Sequence, residues 1–220
     1  MAIGHMLKDK FKLFIFDLDG TLIDSQIDIL NSVNHVRSLL KLPPLELSKV
    51  RSYIGNGANI LVQKILPGAN QKELANAFVE FKNYYYKHPV ENTKIYSGIL
   101  ELLEKLKGKK KAVLTNKPEN ISKKILESLN LDSYFSLVWG GDTGPKKKPD
   151  PGPIHSILKR FKLEPKDAIM IGDGINDIRA AKSAGVATLA LGYGYTDEKE
   201  ILDLRPDYFS KTIKDLLEMI

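Results

Sequence analysis

The sequence predicts an α/β protein whose core is a parallel sheet with helices on both faces, joined to a separate helical unit. Two patterns predict this fold class. Over residues 93–220, short apolar runs alternate with helical patterns, which is typical of parallel strands joined by right-handed helical crossovers. Over residues 24–92, the apolar residues recur only at helical spacing. A chain of 220 residues is long enough to bury such a core and a smaller companion unit.

The chain begins with a predicted strand, a polar loop and a helix. Residues 11–16 form an apolar run with one lysine, and its length suits a buried strand. After the loop, Ser25 and Asp28 have the spacing of a capping box, in which both side chains bond to backbone N–H groups of the first helical turn. A helix is therefore predicted over residues 26–41.

The remaining elements are predicted in the same way. A stripe of Leu74, Phe78, Phe81 and Tyr85 at helical intervals predicts another helix before residue 92, and the Gly-Asn-Gly sequence at 55–57 predicts a turn. The later elements are helices near 99–107 and 121–129 and strands at 111–115, 137–139, 168–171 and 187–191. We therefore divide the chain into a core of residues 7–23 and 93–220 and a helical unit of residues 24–92.

Composition excludes several classes of protein. Without cysteine there is no disulfide, thiolate metal site or cysteine nucleophile, and a cytoplasmic location is expected. No apolar stretch approaches the roughly 18 residues of a membrane span, so no membrane partner is expected. The net charge of +6 favours anionic ligands, but the basic residues are dispersed and not interleaved with aromatic residues, so no nucleic-acid partner is expected. Residues 1–6 (MAIGHM) are either native or a cloning remnant and are left out of the fold prediction.

Two polar clusters follow predicted strands and carry candidate chemistry. In the first, Asp17 and Asp19 are two residues apart and would repel each other unless a cation or a shared proton compensates them. The alternative is a capped turn. In the second, Thr115 and Asn116 offer hydroxyl and amide donors that suit a phosphate oxygen, although either residue is equally suited to cap a helix.

Two further clusters supply a cation and more carboxylates. Lys148 precedes Pro149 in a rigid loop and could balance charge on an attacking carboxylate, whereas Lys146 and Lys147 are expected to face solvent. Asp173 and Asp177 follow another strand and suit Mg²⁺, which prefers hard oxygen ligands. Their alternative reading is an Asp-Gly turn before a helix.

Together the four clusters resemble the motifs of the haloacid-dehalogenase-like hydrolase superfamily. They match in order at residues 17–21, at Thr115 and Asn116, at Lys148 and Pro149, and at residues 172–177. Within the superfamily, the segments 16–25, 140–142 and 148–151 resemble the phosphoglycolate phosphatase branch most closely. The resemblance implies a Rossmann-like core and a helical cap, here called the cap segment (residues 24–92), inserted between the first and second motifs.

The resemblance also implies a role for each motif residue. Asp17 would attack phosphorus and form a transient aspartyl phosphate, while Asp19 would protonate the leaving oxygen and later activate water. Mg²⁺ would be held by Asp17, the backbone carbonyl of Asp19 and Asp173, with Asp177 orienting the metal site from outside. The remaining phosphate contacts would come from Thr115, Lys148 and the amide of Asn116.

The cap segment contains the candidate residues for substrate selection. These are Arg51 and the loop of Gly55, Asn56 and Gly57, where glycines would let backbone amides approach an anion. The alternative is a plain turn between helices.

The expected function is Mg²⁺-dependent hydrolysis of a small phosphate monoester by a monomer or homodimer, with 2-phosphoglycolate as the first candidate substrate. A pyrophosphatase, a nucleotidase, and a sugar-phosphate phosphatase or phosphomutase would have the same core motifs. A binding protein built on an inactive core is the alternative from another class, because fold alone does not fix function.

Overall fold

The computed structural model describes residues 6–220, so the segment set aside at residues 1–6 lies outside the described residues except for Met6. The strands are β1 (Leu13–Phe16), β2 (Ile23–Asp24), β3 (Lys94–Ile95), β4 (Lys110–Leu114), β5 (Leu137–Trp139), β6 (Ala168–Gly172), β7 (Ala187–Leu191) and β8 (Tyr208–Ser210). The helices are α1 (Leu7–Lys10), α2 (Gln26–Leu39), α3 (Leu47–Arg51), α4 (Ala58–Ile65), α5 (Gln71–Lys87), α6 (Ile99–Lys105), α7 (Glu119–Ser128), α8 (Gly152–Phe161), α9 (Ile175–Ser183), α10 (Glu198–Leu202) and α11 (Ile213–Met219).

The core is a six-stranded sheet in the order β5-β4-β1-β6-β7-β8, and each neighbouring pair is parallel. Side chains of β1 alternate between its faces: Phe14 and Phe16 pack in one hydrophobic cluster, and Leu13 and Ile15 in another. Apolar residues of α6, α7 and α11 belong to the first cluster, and those of α8 and α9 to the second. The predicted α/β class, a Rossmann-like parallel sheet covered on both faces, is confirmed.

The strands predicted from apolar runs agree with the structure to within two residues. The sixth strand of the sheet, β8, was missed because its apolar run is only two residues long, Tyr208 and Phe209, before Ser210, whereas the equally short edge strand β5 is apolar throughout. Among the residues that the structure describes, every helix is too short or too polar to cross a lipid bilayer.

The cap segment contains four helices, α2 to α5, and its two ends meet beside the sheet. The short strands β2 and β3 pair in antiparallel fashion, with Ile23 opposite Ile95 and Asp24 opposite Lys94. Nearby, the buried carboxylate of Asp28 accepts hydrogen bonds from the backbone N–H and side-chain hydroxyl of Thr93, at 2.8 and 2.7 Å. The two connections between cap segment and core are therefore tied to each other.

The predicted capping box at the start of α2 is wrong. The helix begins at Gln26, but the side chain of Ser25 makes no capping bond and instead donates to the carboxylate of Asp19 at 2.5 Å. Asp28 is engaged by Thr93, as described above. Both side chains contact residues outside the helix, which the capping-box spacing cannot reveal.

Candidate active site

The candidate site lies where three neighbouring strands end. Asp17 follows β1, Thr115 follows β4 and Asp173 follows β6, and β1 lies between the other two in the sheet. Because the carboxyl ends of parallel strands share one edge, these residues are brought together as the strand pattern suggested. Lys148 reaches the same edge from the loop before α8, and its Nζ lies 2.9 Å from Oδ1 of Asp17.

Three buried aspartates form what we call the carboxylate cluster: Asp17, Asp173 and Asp177 each place an oxygen within 4.8 Å of the other two. Lys148 is buried against the cluster and contacts Asp17 and, at 2.5 Å, Asp177. It also donates to the carbonyl oxygen of Leu114 at 2.6 Å. One lysine therefore faces three carboxylates.

Burial and the excess of carboxylates over ammonium groups shift the pKa values of the cluster and of Lys148. Burial raises the pKa of Asp17 to about 8, with repulsion from Asp177 and Asp173 adding to the effect and Lys148 opposing it. Burial and the Asp177 carboxylate raise the pKa of Asp173 to about 7. For Lys148, burial acts to lower the pKa, but attraction to Asp17 and Asp177 outweighs it and the pKa is raised.

The cluster fits a divalent cation by charge and donor type. Carboxylate oxygens are the hard ligands that Mg²⁺ prefers, and a cation would offset the negative charge that Lys148 alone does not neutralise. A methyl group at Gly20 or Gly194 would overlap the carboxyl group of Asp173, so glycines permit the close approach of two loops to this ligand. Asp173 is held in place by the hydroxyl of Thr21 and the backbone N–H of Tyr195, each at 2.8 Å.

Both carboxylate oxygens of Asp177 are also engaged. One of its oxygens contacts Lys148, and the other accepts a hydrogen bond at 2.9 Å from the backbone N–H of Gly174 at the start of α9. These contacts favour the predicted orienting role of Asp177.

Asp19 is not a member of the carboxylate cluster, and its side chain contacts one residue of the cap segment and one of the core. Its Oδ1 accepts the hydroxyl of Ser25 and lies 2.5 Å from Nζ of Lys117. Lys117 is buried, donates to the hydroxyl of Tyr85 at 2.5 Å, and lies over that ring at 4.5 Å from its centroid. Burial lowers the pKa of Lys117, although attraction to Asp19 opposes the shift.

Lys117 and Tyr85 were not among the predicted site residues. Lys117 did carry a sequence signal, since it is the third consecutive polar residue after β4, next to Thr115 and Asn116. Tyr85 was identified only as part of an apolar helical stripe, and nothing in that pattern distinguishes a residue that reaches the site.

Asn116, which follows β4, connects the end of that strand with the cap loop at Gly55 and with the loop that carries Lys148. Its side-chain amide donates to the carbonyl oxygens of Gly55 and Lys148, both at 2.9 Å. Both side-chain N–H donors are thereby used, so a phosphate contact from this residue would have to come from its backbone N–H. Thr115 is buried, and its hydroxyl oxygen accepts the backbone N–H of Lys117 at 3.2 Å.

The predicted cap loop lies against the core. Asn176 donates to the carbonyl oxygen of Gly55 and to the side-chain oxygen of Asn56, each at 3.1 Å. Lys147 donates to the backbone carbonyl of Asn56 at 2.8 Å and is partly buried, so the expectation that Lys147 faces solvent was wrong. Arg51, which is exposed, donates to the carbonyl oxygen of Gly194 at 2.9 Å.

Two cavities meet at Asp17 and Asp19. What we call the small cavity has a volume of about 40 Å³, and its polar lining is Asp17, Asp19, Thr115, Asn116 and Lys117. Its apolar walls come largely from the cap segment and include Ile29, Ile54, Leu61, Phe81 and Tyr85; Gly55 and Gly57 also line it. What we call the large cavity has a volume of about 480 Å³ and is lined by polar residues that include Arg51, Asn56, Asp173, Asp177 and Arg179.

This arrangement brings two carboxylates and an ammonium group to one point. Asp17, the predicted nucleophile, contacts Lys148, and Asp19, the predicted acid, lies with Asp17 on the wall of the small cavity. Such a set suits the transfer of a phosphoryl group, in which positioning and charge stabilisation supply most of the catalysis.

Comparisons with known proteins agree with this chemistry. The model of the haloacid dehalogenase-like hydrolase family matches residues 14–191. Phosphoglycolate phosphatase 1 of Pseudomonas aeruginosa is 38% identical over 215 residues, covering 94% of this chain and 78% of the relative. Phosphoglycolate phosphatase of Mannheimia succiniciproducens is 35% identical over 224 residues, covering 97% of this chain and 100% of the relative.

A solved structure agrees as well. The crystal structure of a predicted phosphoglycolate phosphatase from Haemophilus somnus superimposes with a TM-score of 0.90 and 35% sequence identity, covering 96% of this chain and 98% of the other. Sequence, fold and site geometry lead to one conclusion: the chain belongs to the haloacid dehalogenase-like hydrolase family.

Proposed function

We propose that this protein is a Mg²⁺-dependent phosphatase that hydrolyses small phosphate monoesters, with 2-phosphoglycolate as its favoured substrate. The observation that carries the proposal is the position of Asp17, which belongs to the carboxylate cluster and also lines the small cavity beside Asp19. A phosphate bound there would have the nucleophile, Asp17, on one side of phosphorus. The acid, Asp19, would lie beside the oxygen of the leaving group.

The reaction proceeds in two steps. A carboxylate oxygen of Asp17 attacks phosphorus, the bond from phosphorus to the ester oxygen breaks, and Asp19 gives that oxygen a proton. Asp19 then takes a proton from water as the water attacks the aspartyl phosphate, which restores Asp17 and releases inorganic phosphate. Thr115, Lys148 and the backbone N–H of Asn116 hold the phosphate oxygens through donors that surround Asp17.

Mg²⁺ would be held by Asp17, Asp173 and the backbone carbonyl of Asp19. When bound, it supplies positive charge that relieves repulsion between the phosphate dianion and the attacking carboxylate. Asp177 keeps Lys148 and the start of α9 in position beside this site.

The size of the small cavity supports a small leaving group. Its volume of about 40 Å³, against about 480 Å³ for the large cavity, favours a leaving group of a few atoms over a hexose or a nucleoside. The names of the relatives point to the same substrate. In this proposal, residues 24–92 act as a cap domain over a core of residues 7–23 and 93–220.

The test is hydrolysis of a panel of esters by the folded protein with Mg²⁺. The panel contains 2-phosphoglycolate, 2-hydroxyethyl phosphate, an aryl phosphate, pyrophosphate, a hexose phosphate and a nucleoside monophosphate. We expect the highest kcat/KM for 2-phosphoglycolate, and we expect Asp17→Asn to lower kcat by at least about 10⁴-fold, as loss of a nucleophile does. No turnover of any ester would contradict the proposal and favour a non-catalytic binding protein.

A further inference from the structure

The small cavity has one charged feature that the proposed chemistry at phosphorus does not use. Among the described residues that line it, Lys117 is the only one with a cationic side chain. The Lys117 side chain is only 4% exposed, and an ammonium buried to this degree needs partners of opposite charge or strong acceptors. The groups that stabilise this buried ammonium, at the boundary between core and cap segment, therefore indicate what Lys117 does.

The contacts of Lys117 leave part of its binding capacity unused. An ammonium group has three N–H donors. Within residues 6–220, its hydrogen-bond acceptors are Oδ1 of Asp19 and the hydroxyl of Tyr85, each at 2.5 Å. One donor is left over, so Lys117 is able to bind an additional anionic group without giving up Asp19.

The position of Lys117 beside Asp19 matches the order of the groups in a short acidic phosphate ester. When phosphorus lies at Asp17, the ester oxygen lies at Asp19, which protonates it. The next atoms of the leaving group then enter the small cavity beside Lys117, because Lys117 is in direct contact with Asp19. In a phosphorylated 2-hydroxy acid, the carboxylate is attached to the carbon that carries the ester oxygen. It would therefore arrive at the Lys117 ammonium.

We propose that Lys117 binds the carboxylate of the leaving group and thereby selects phosphate esters of short 2-hydroxy acids. The inference rests on the proposed phosphatase function. The apolar walls contributed by Leu61 and Phe81 strengthen this selection, because a carboxylate in such surroundings is stable only beside a cation. Tyr85 holds the ammonium from the side of the cap segment, so the selecting group is completed only when that segment lies against the core.

The experiment compares two substrates that differ only in this group. In 2-phosphoglycolate the ester carbon carries a carboxylate, and in 2-hydroxyethyl phosphate it carries a neutral hydroxymethyl group. A charge-assisted hydrogen bond of this kind is worth about 10- to 100-fold in kcat/KM, so the wild-type protein should prefer 2-phosphoglycolate by about that factor. Lys117→Met should abolish this preference, mainly through a higher KM for 2-phosphoglycolate, and Lys117→Arg should restore part of it.

Lys147→Met is the matched control. Lys147 also contacts the cap segment, through Asn56, but it does not line the small cavity. Its removal should change kcat/KM for both substrates by the same factor, which leaves the preference intact. Competitive inhibition by glycolate, the product, provides a second readout and should weaken in Lys117→Met and not in Lys147→Met.

The outcomes separate this inference from the proposed function. If the wild-type protein hydrolyses both esters with equal kcat/KM, or if Lys117→Met keeps the wild-type preference, the assignment of Lys117 is overturned while phosphatase activity stands. An equal wild-type ratio overturns the assignment even if Lys117→Met does not fold, which circular dichroism would reveal. If the wild-type protein hydrolyses neither ester, the proposed function fails, and this inference fails with it.

Discussion

The two sides of Asp17 differ in charge, in lining and in the part of the chain that builds them. On one side, the carboxylate cluster consists of core residues, two at strand ends and Asp177 in the first turn of α9, and its excess negative charge suits a metal ion. On the other side, the small cavity is walled mainly by apolar residues of the cap segment and contains one lysine. In the proposed function, the chemistry at phosphorus and the choice of leaving group would therefore depend on largely separate sets of residues, which mutations should alter independently.

After the loss of Asp17 itself, the largest expected effect comes from Asp19, the proposed acid, which lines the small cavity beside Lys117. We expect Asp19→Asn to lower kcat for an alkyl phosphate by about 10²- to 10⁴-fold, the usual contribution of a general acid. The loss should be smaller for an aryl phosphate, whose leaving group needs less protonation. Steady-state kinetics on both esters check this, with Asp9→Asn, an exposed position on α1, as the control. Equal losses on both esters would argue against an acid role.

An intermediate effect tests the carboxylate cluster without substrate. The folded-state pKa values of Asp17 and Asp173, about 8 and about 7, lie above the ordinary value of 3.8. The folded protein therefore holds more protons than the unfolded chain between about pH 4 and pH 8, and raising the pH through this window favours unfolding. We expect the Tm of metal-free protein to fall between pH 5 and pH 9, by about 2–4 °C for each kcal/mol lost.

Added Mg²⁺ should reverse that loss. At about 100 times its Kd, a ligand that binds only the folded state contributes about 2.7 kcal/mol. The rise in Tm on adding Mg²⁺ should be larger at pH 9 than at pH 5, where the aspartates hold protons that compete with the metal. Thermal unfolding of Asp173→Asn provides the comparison, and an equally steep pH dependence in this variant would contradict the role given to the cluster.

The smallest expected effect concerns the apolar wall. Ile54 lines both cavities, and Ile54→Ala should enlarge the small cavity without touching the carboxylate cluster. Because a pocket discriminates a single methylene by about tenfold or somewhat more, we expect kcat/KM for propyl phosphate relative to ethyl phosphate, which differ by one methylene, to rise by about tenfold. Val79→Ala, an exposed change in α5 of the same segment, should leave the ratio unaltered. An unchanged ratio in Ile54→Ala would show that the wall does not limit substrate size.

The residues on the two sides of Asp17 also differ in how well the sequence predicts them. Asp17, Thr115 and Asp173 could be found because each follows an apolar run, and strands that end at one edge of a parallel sheet bring such residues together. Lys117 could not be assigned a partner, because its contact with Asp19 joins residues 98 positions apart. Ser25 was assigned to a helix cap for a related reason: local spacing matches a common motif, whereas the actual acceptor, Asp19, is chosen by tertiary packing.

The pairing of β2 with β3 has a consequence for how such proteins diversify. Because Ile23 lies opposite Ile95, the two points at which the chain leaves and re-enters the core are already adjacent, and a short hairpin turn could in geometric terms replace everything between them. The intervening helices can then be lengthened, exchanged or lost during evolution without displacing any strand of the six-stranded sheet. A duplicated gene could in this way acquire a new leaving-group preference while inheriting the phosphoryl-transfer residues unchanged.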